Sequence, residues 1–261
     1  MLFIIRLLSV AVVLSCGFGR PGFADQVDTG EAGRRLKAAY PDHVAAIREG
    51  ALIWRDGTRM AIDDGRENKT SEERLSAPDL QDIFAVPYPT GAISAPPLNA
   101  DPGRARPDTF FDRMYGNCRN GDVQKNLVEV AWMPSRGRTT LKVTRVNGVA
   151  EKLKAVSAEL ELLPPSFDRY LNPVAGTYAC RVIAGTERRS THGYGIAIDL
   201  ALKHAHYWRW SKPDATGVYS WRNDIPEEIV RVFEKHGFIW GGRWYHYDTM
   251  HFEYRPELLV E

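Results

Sequence analysis

The chain is short of cysteine, of net charge and of long apolar runs, and each shortage excludes something. Three cysteines among 261 residues, Cys16, Cys118 and Cys180, cannot build a cysteine-rich metal site. Any zinc would have to be held by histidine and carboxylate. With 34 basic and 33 acidic residues the formal net charge is +1. That balance gives no footprint for nucleic acid, and none for a generally basic membrane-surface protein. The apolar stretch from Leu7 to Leu14 is too short and interrupted for a membrane span. There is no internal repeat and no low-complexity tract. What is present is ordinary for a globular protein, 44% hydrophobic and 26% charged, which argues against wholesale disorder.

Residues 1–24 read as a secretory signal. Arg6 supplies the positive charge, Leu7 to Leu14 the apolar core, and Gly22-Phe23-Ala24 the small residues for cleavage after Ala24. The alternative is lipidation at Cys16 within Val13-Leu14-Ser15-Cys16. The expected location is periplasmic or secreted, with no integral membrane span once the signal is removed. In that oxidising setting Cys118 and Cys180 remain as an even pair. A bridge between them would close a loop of about 60 residues and add ~4 kcal/mol in a chain-entropy model. Two separate buried thiols are the other reading.

The predicted organisation has three parts: the signal (1–24), an N-terminal extension with a Pro-rich loop (25–107), and a catalytic domain (108–261). Glu31 to Glu49 reads as a helix ended by Gly50. Leu52–Trp54 and Met60–Ile62 flank the turn Asp56-Gly57 as a hairpin. Asp63 to Glu73 reads as a loop. Residues 86–107 hold Pro87, Pro89, Pro96, Pro97, Pro102 and Pro107, so they form a linker or a loop laid over the surface. Helices are expected over 109–115 and 149–163, strands over 127–132, 140–146, 178–183, 195–200 and 251–254. A further helix is capped by Asp224 and ended by Gly237. Strands and helices without regular alternation predict an α+β fold, a small antiparallel sheet flanked by helices.

Two segments carry chemistry. In Ser190-Thr191-His192-Gly193-Tyr194-Gly195-Ile196-Ala197-Ile198-Asp199-Leu200, alternation puts Ile196, Ile198 and Leu200 on a core face. Asp199 lies on the opposite face, where His192 can fold back to meet it. In Gly241-Gly242-Arg243-Trp244-Tyr245-His246-Tyr247-Asp248-Thr249-Met250-His251, Asp248 precedes His251 by a turn. A catalytic zinc site needs three protein ligands and an open position. His192, Asp199 and His251 offer two imidazoles and a carboxylate, leaving Asp248 free as a base. Taken singly, each has a plainer reading: Asp199 capping a strand end, His251 hydrogen-bonded in a core. His246 and Tyr245 read as cleft lining or oxyanion stabilisers, Trp244 as packing. His204 and His206 resemble a ligand pair, but no partner fits them, and a polar loop over the cleft is the better reading.

Ser190-x-His192-x-x-Gly195-x-Ala197-x-Asp199 followed by Asp248-x-x-His251-Phe252 resembles the zinc D-alanyl-D-alanine carboxypeptidases of the vancomycin-resistance type. It is also similar to the related phage L-alanyl-D-glutamate endolysins. The resemblance spans roughly residues 175–256. It implies zinc held by His192, Asp199 and His251, with Asp248 as general base, acting on peptidoglycan stem peptides. It further implies that Arg181 and Ser190 hold the substrate, Arg181 by pairing with a carboxylate. The carboxypeptidase branch usually has Glu at the base position. Asp248 with its Gly241-Gly242-x-Trp244 lead-in looks more like the endolysin branch, which leaves the scissile bond open. Outside the peptidases stand a zinc-containing wall-binding module that has lost its chemistry, and a metal-free structural protein of the envelope. The intact base position favours an enzyme.

Overall fold

The computed structural model describes residues 27–260; the signal and Cys16 readings fall outside them. Among the described residues no helix is long and apolar enough to cross a membrane. Helix α1 (Thr29–Ala39) starts where the Asp28 carboxylate accepts the Glu31 N–H at 2.8 Å. It stops ten residues short of the predicted end. Pro41 disfavours helical backbone at Tyr40, which turns away at φ −129°. Residues 44–48, predicted as helix, instead form β1 (Val44–Arg48), paired antiparallel with β2 (Ala51–Trp54). The turn between them holds Glu49 and Gly50 at positive φ, the geometry of a tight hairpin. Strand β3 (Arg59–Ala61) completes this sheet through the expected Asp56-Gly57 turn.

The loop predicted for 63–73 gives way to α2 (Ser71–Ser76), nucleated by a reciprocal capping box between Thr70 and Glu73. Helix α3 (Asp108–Tyr115) follows the Pro-rich stretch, which has neither α-helix nor strand after Phe84. That stretch lies against the rest of the molecule. The Tyr88 hydroxyl donates to Glu234 at 2.6 Å and accepts from the Trp240 N–H at 2.9 Å. Strands β4 (Leu127–Trp132) and β5 (Thr139–Thr144) form an antiparallel pair, covered by α4 (Val149–Leu160). Helix α5 (Asp168–Leu171) is a single turn.

The third sheet positions the site. It has the order β6 (Ala197–Asp199), β8 (His251–Tyr254), β7 (Phe238–Trp240), antiparallel throughout. Register sets Phe252 between Ile198 and Trp240, all fully buried. Phe252 stacks on Phe233 of α6 (Glu227–Lys235) at 3.9 Å. The same register sets Asp199 opposite His251, so alternation sends both to the other face. Asp224 does not cap α6. Pro226 holds the cap position without a side-chain bond, and Asp224 accepts from His206 Nε2 at 2.9 Å. The strand predicted for 178–183 is also absent. Only a single bridge joins Val182 and Arg189, and this loop is tied down by the Cys118–Cys180 disulfide. The mixture of helices and small antiparallel sheets agrees with the α+β expectation.

Candidate metal centre

His192 sits in a 3-10 turn (Thr191–Tyr194) that ends at Gly195, whose φ of +69° reverses the chain into β6. A side chain at Gly195 would come within 2.8 Å of Leu127, so the turn requires glycine. The reversal brings His192 over the sheet face that carries Asp199 and His251. Donor atoms of the three residues lie within 4.8 Å of one another. His192 Nε2 is 3.2 Å from His251 Nδ1 and 3.2 Å from Asp199 Oδ2, and His251 Nδ1 is 2.9 Å from Asp199 Oδ1.

The outward nitrogens fix the tautomers. His192 Nδ1 lies 2.5 Å from the Thr177 carbonyl oxygen, which can only accept, so Nδ1 carries the proton and Nε2 presents a lone pair. His251 Nε2 lies 3.0 Å from the Glu253 carboxylate, which makes Nδ1 its lone-pair nitrogen. Two imidazole lone pairs and a carboxylate thus converge with no donor among them. That acceptor-only set fits a zinc ion, and oriented outer partners of this kind are what metal-ligating histidines require. The same set of acceptors also attracts a proton. Burial opposes the charge on His251, but Asp199 and Glu253 outweigh it and push its pKa up to about 10. Asp199 is likewise buried, and the two histidines hold its carboxyl well below the usual range.

Asp248 stands beside this cluster. Its backbone N–H donates to Gly241 O at 3.0 Å, and its carbonyl accepts from the His251 N–H at 3.2 Å. A Cβ on Gly241 would meet that Asp248 carbonyl at 2.5 Å, which explains the glycine in the lead-in. Among the described residues, Asp248 Oδ1 is buried with no hydrogen-bond partner. Burial pushes its carboxyl up to about 6. An unpartnered buried carboxylate oxygen beside a ligand set is poised to take a proton.

These groups open into one cleft of about 320 Å³, which His192, Asp199, Asp248 and His251 line together with Arg181, Ser190 and His246. The seven residues expected as metal ligands, base or substrate contacts therefore meet in one place. Arg181 is exposed; its carbonyl accepts the Ser190 N–H at 3.1 Å, which joins the two candidate substrate residues. His246 is held by Asp101, which accepts from both its backbone N–H (2.9 Å) and Nδ1 (2.6 Å). Trp244 is buried, as expected of a packing residue, yet it also borders the cleft, 5.6 Å from the His251 ring. His204 and His206 stay out of the cluster: His204 packs on Tyr170 and His206 pairs with Asp224. Their neighbours Leu202, Tyr207 and Trp210 do reach the cleft.

The sequence reading missed Arg104 and Arg106, which line the cleft, and Glu253, which holds His251. Glu253 was accessible to reasoning, because i, i+2 spacing on a strand puts it on the His251 face. The two arginines carry no such signal within the Pro-rich stretch.

A buried histidine–carboxylate cluster with a free carboxylate beside it, open to a cleft, is a donor set that could hold a metal ion next to a candidate base. Residues 184–254 match the family described as D-alanyl-D-alanine carboxypeptidase. The match runs through His192, Asp199, Asp248 and His251, and it supports the resemblance drawn from the motifs. No curated protein matches the chain. The match supports a peptidase acting on bacterial cell wall.

Proposed function

We propose that this chain is a zinc-dependent peptidase that hydrolyses a bond in the stem peptides of peptidoglycan, with zinc held by His192, Asp199 and His251. The observation that carries the reading is the convergence of three acceptor groups beside the unpartnered Oδ1 of Asp248. When bound there, zinc supplies Lewis acidity towards a peptide carbonyl and makes water at the site easier to deprotonate.

The remaining work belongs to the chain. Asp248 Oδ1 accepts the proton of the attacking water and returns it to the leaving amine, so one carboxylate serves as base and then acid. Arg181 binds a substrate carboxylate, and Ser190 lines the cleft beside it. His246, fixed through Asp101, is directed at the substrate carbonyl region. Arg104 adds positive charge to the same cleft, which suits a stem peptide carrying free carboxylates. A cationic wall and the family description favour removal of a terminal D-alanine. Asp248 and its diglycine lead-in favour cleavage at the L-alanine end. The chain is proposed to act after export to the periplasm or beyond, in keeping with its disulfide.

The test is digestion of purified wall fragments, with and without a chelator, read by mass spectrometry. Chelator-sensitive loss of a terminal D-alanine assigns a carboxypeptidase; release of the stem at its L-alanine end assigns an endopeptidase. No cleavage despite stoichiometric zinc overturns the enzyme reading in favour of a wall-binding module.

A further inference from the structure

We infer that Arg106 is a positioning residue for the metal centre, acting through Glu253 on His251. This rests on the zinc reading above and extends it to a segment outside the matched residues 184–254. Glu253 is fully buried at the third position of β8. Its Oε2 receives His251 Nε2 at 3.0 Å and the Thr191 hydroxyl at 3.0 Å. Arg106, 147 residues away in sequence, grips both carboxylate oxygens: Nε to Oε1 at 3.0 Å and Nη2 to Oε2 at 2.6 Å.

This two-pronged grip decides the geometry. A bidentate guanidinium fixes the carboxylate plane as well as its place. Arg255 also reaches Glu253, but only at Oε1, and it is shared with Glu257 and the Gly103 carbonyl. Without Arg106 the carboxylate can rotate away from His251 Nε2, and the imidazole loses the partner that keeps Nδ1 aimed at Asp199.

The segment carrying Arg106 is itself held in register. The Ala100 carbonyl accepts from the Tyr245 N–H at 2.8 Å, and the Pro102 carbonyl from Trp244 Nε1 at 2.7 Å. The Arg106 guanidinium also lies 5.6 Å from the centre of the Trp244 ring, which borders His251 in turn. Residues 100–106 thereby act as a strap that orients one ligand of the metal.

The experiment measures zinc affinity of the mature chain by competition with a chromophoric chelator, for wild type, Arg106→Lys and Arg106→Ala. Thermal midpoints of the zinc-loaded and chelated forms are recorded alongside. Loss of an outer partner should weaken zinc binding by about 10–100-fold and shrink the stabilisation that zinc confers. A merely structural role would lower both midpoints equally and leave affinity at the wild-type value, and that result overturns the inference. If Arg106→Ala does not fold, Arg106→Lys decides, since it keeps the charge and removes the fork. Combining Arg106→Lys with Glu253→Gln should cost little more affinity than the worse single change; fully additive losses also count against the relay. A wild-type chain that binds no zinc sinks the zinc reading itself, whereas tight wild-type binding with unchanged variants sinks only the role of Arg106.

Discussion

Replacing Asp248 by Asn separates base from ligand more cleanly than any other change in the cleft. The substitution preserves shape, and Asp248 Oδ1 has no hydrogen-bond partner to lose. The backbone bonds that seat the turn, to Gly241 O and from the His251 N–H, do not involve the side chain. His192, Asp199 and His251 should therefore keep their places, and the variant should bind zinc as the wild type does. What disappears is the acceptor for the proton of water. Positioned acid–base groups typically contribute a factor of about 10²–10⁴, equivalent to roughly 3–5 kcal/mol of transition-state stabilisation. That loss should fall on kcat, with KM little changed, because the group acts in the transition state rather than in binding. Steady-state cleavage of wall fragments by mass spectrometry, paired with metal analysis of the same sample, gives both quantities. Turnover within a factor of ten of wild type, with zinc bound, would refute the assignment. Loss of zinc together with activity would make Asp248 a ligand rather than a base.

Other consequences follow from the same geometry. Removing zinc with a chelator should abolish cleavage and lower the thermal midpoint, since zinc at about 1,000 times its Kd stabilises by ~4 kcal/mol; an unchanged midpoint on chelation counts against the site. Cys118→Ser should destabilise by about 4 kcal/mol in guanidinium unfolding, as expected for a loop closed across 62 residues, and a loss under about 1 kcal/mol would show that the loop is held otherwise. Asp101→Asn should lower stability at neutral pH. Burial raises the Asp101 carboxyl, but His246 and Arg104 outweigh that and hold it below its ordinary value. Its contribution is therefore present above the unfolded pKa near 4 and lost as pH falls through the folded value. The gap between wild type and variant should narrow in acid, and a gap that stays constant with pH contradicts this account. Arg181→Ala should raise KM for stem peptides with free carboxylates and spare amidated ones; equal effects on both would remove its proposed role.

The site was far more legible in the sequence than the first hundred residues were, and the difference is physical. His192, Asp199, Asp248 and His251 sit on short strands and glycine turns, where period-2 alternation and a close backbone approach leave little freedom. Their spacing carries their geometry. The helix expected over 31–49 ends at Ala39 because Pro41 follows, and the residue before a proline resists helical backbone. Asp224 looked like a cap by residue type alone, yet His206, 18 residues earlier, claimed its carboxylate. The strand expected over 178–183 had the right composition but only one bridging partner, and a strand cannot exist without a neighbour to pair with.

Long-range charge pairing is where sequence reasoning stops. Nothing in residues 100–106 distinguishes Arg106 from any arginine in a proline-rich loop, because its meaning lies in a carboxylate 147 positions away. Glu253 was half-visible: two residues after His251 on a strand, it had to share that face, and a fully buried glutamate must be paired. The pairing requirement could have been stated from sequence, but not the partner. Once the fold supplies Arg106, the chain runs from the strap through Glu253 to His251 without a gap. Glu253 continues through Arg255 and Glu257 to Tyr40, whose hydroxyl donates to Glu257 at 2.5 Å. One row of alternating charges thus ties the end of α1 to the candidate metal ligand. A stretch with no motif of its own is therefore packed against the candidate metal centre as closely as the segments that announce it.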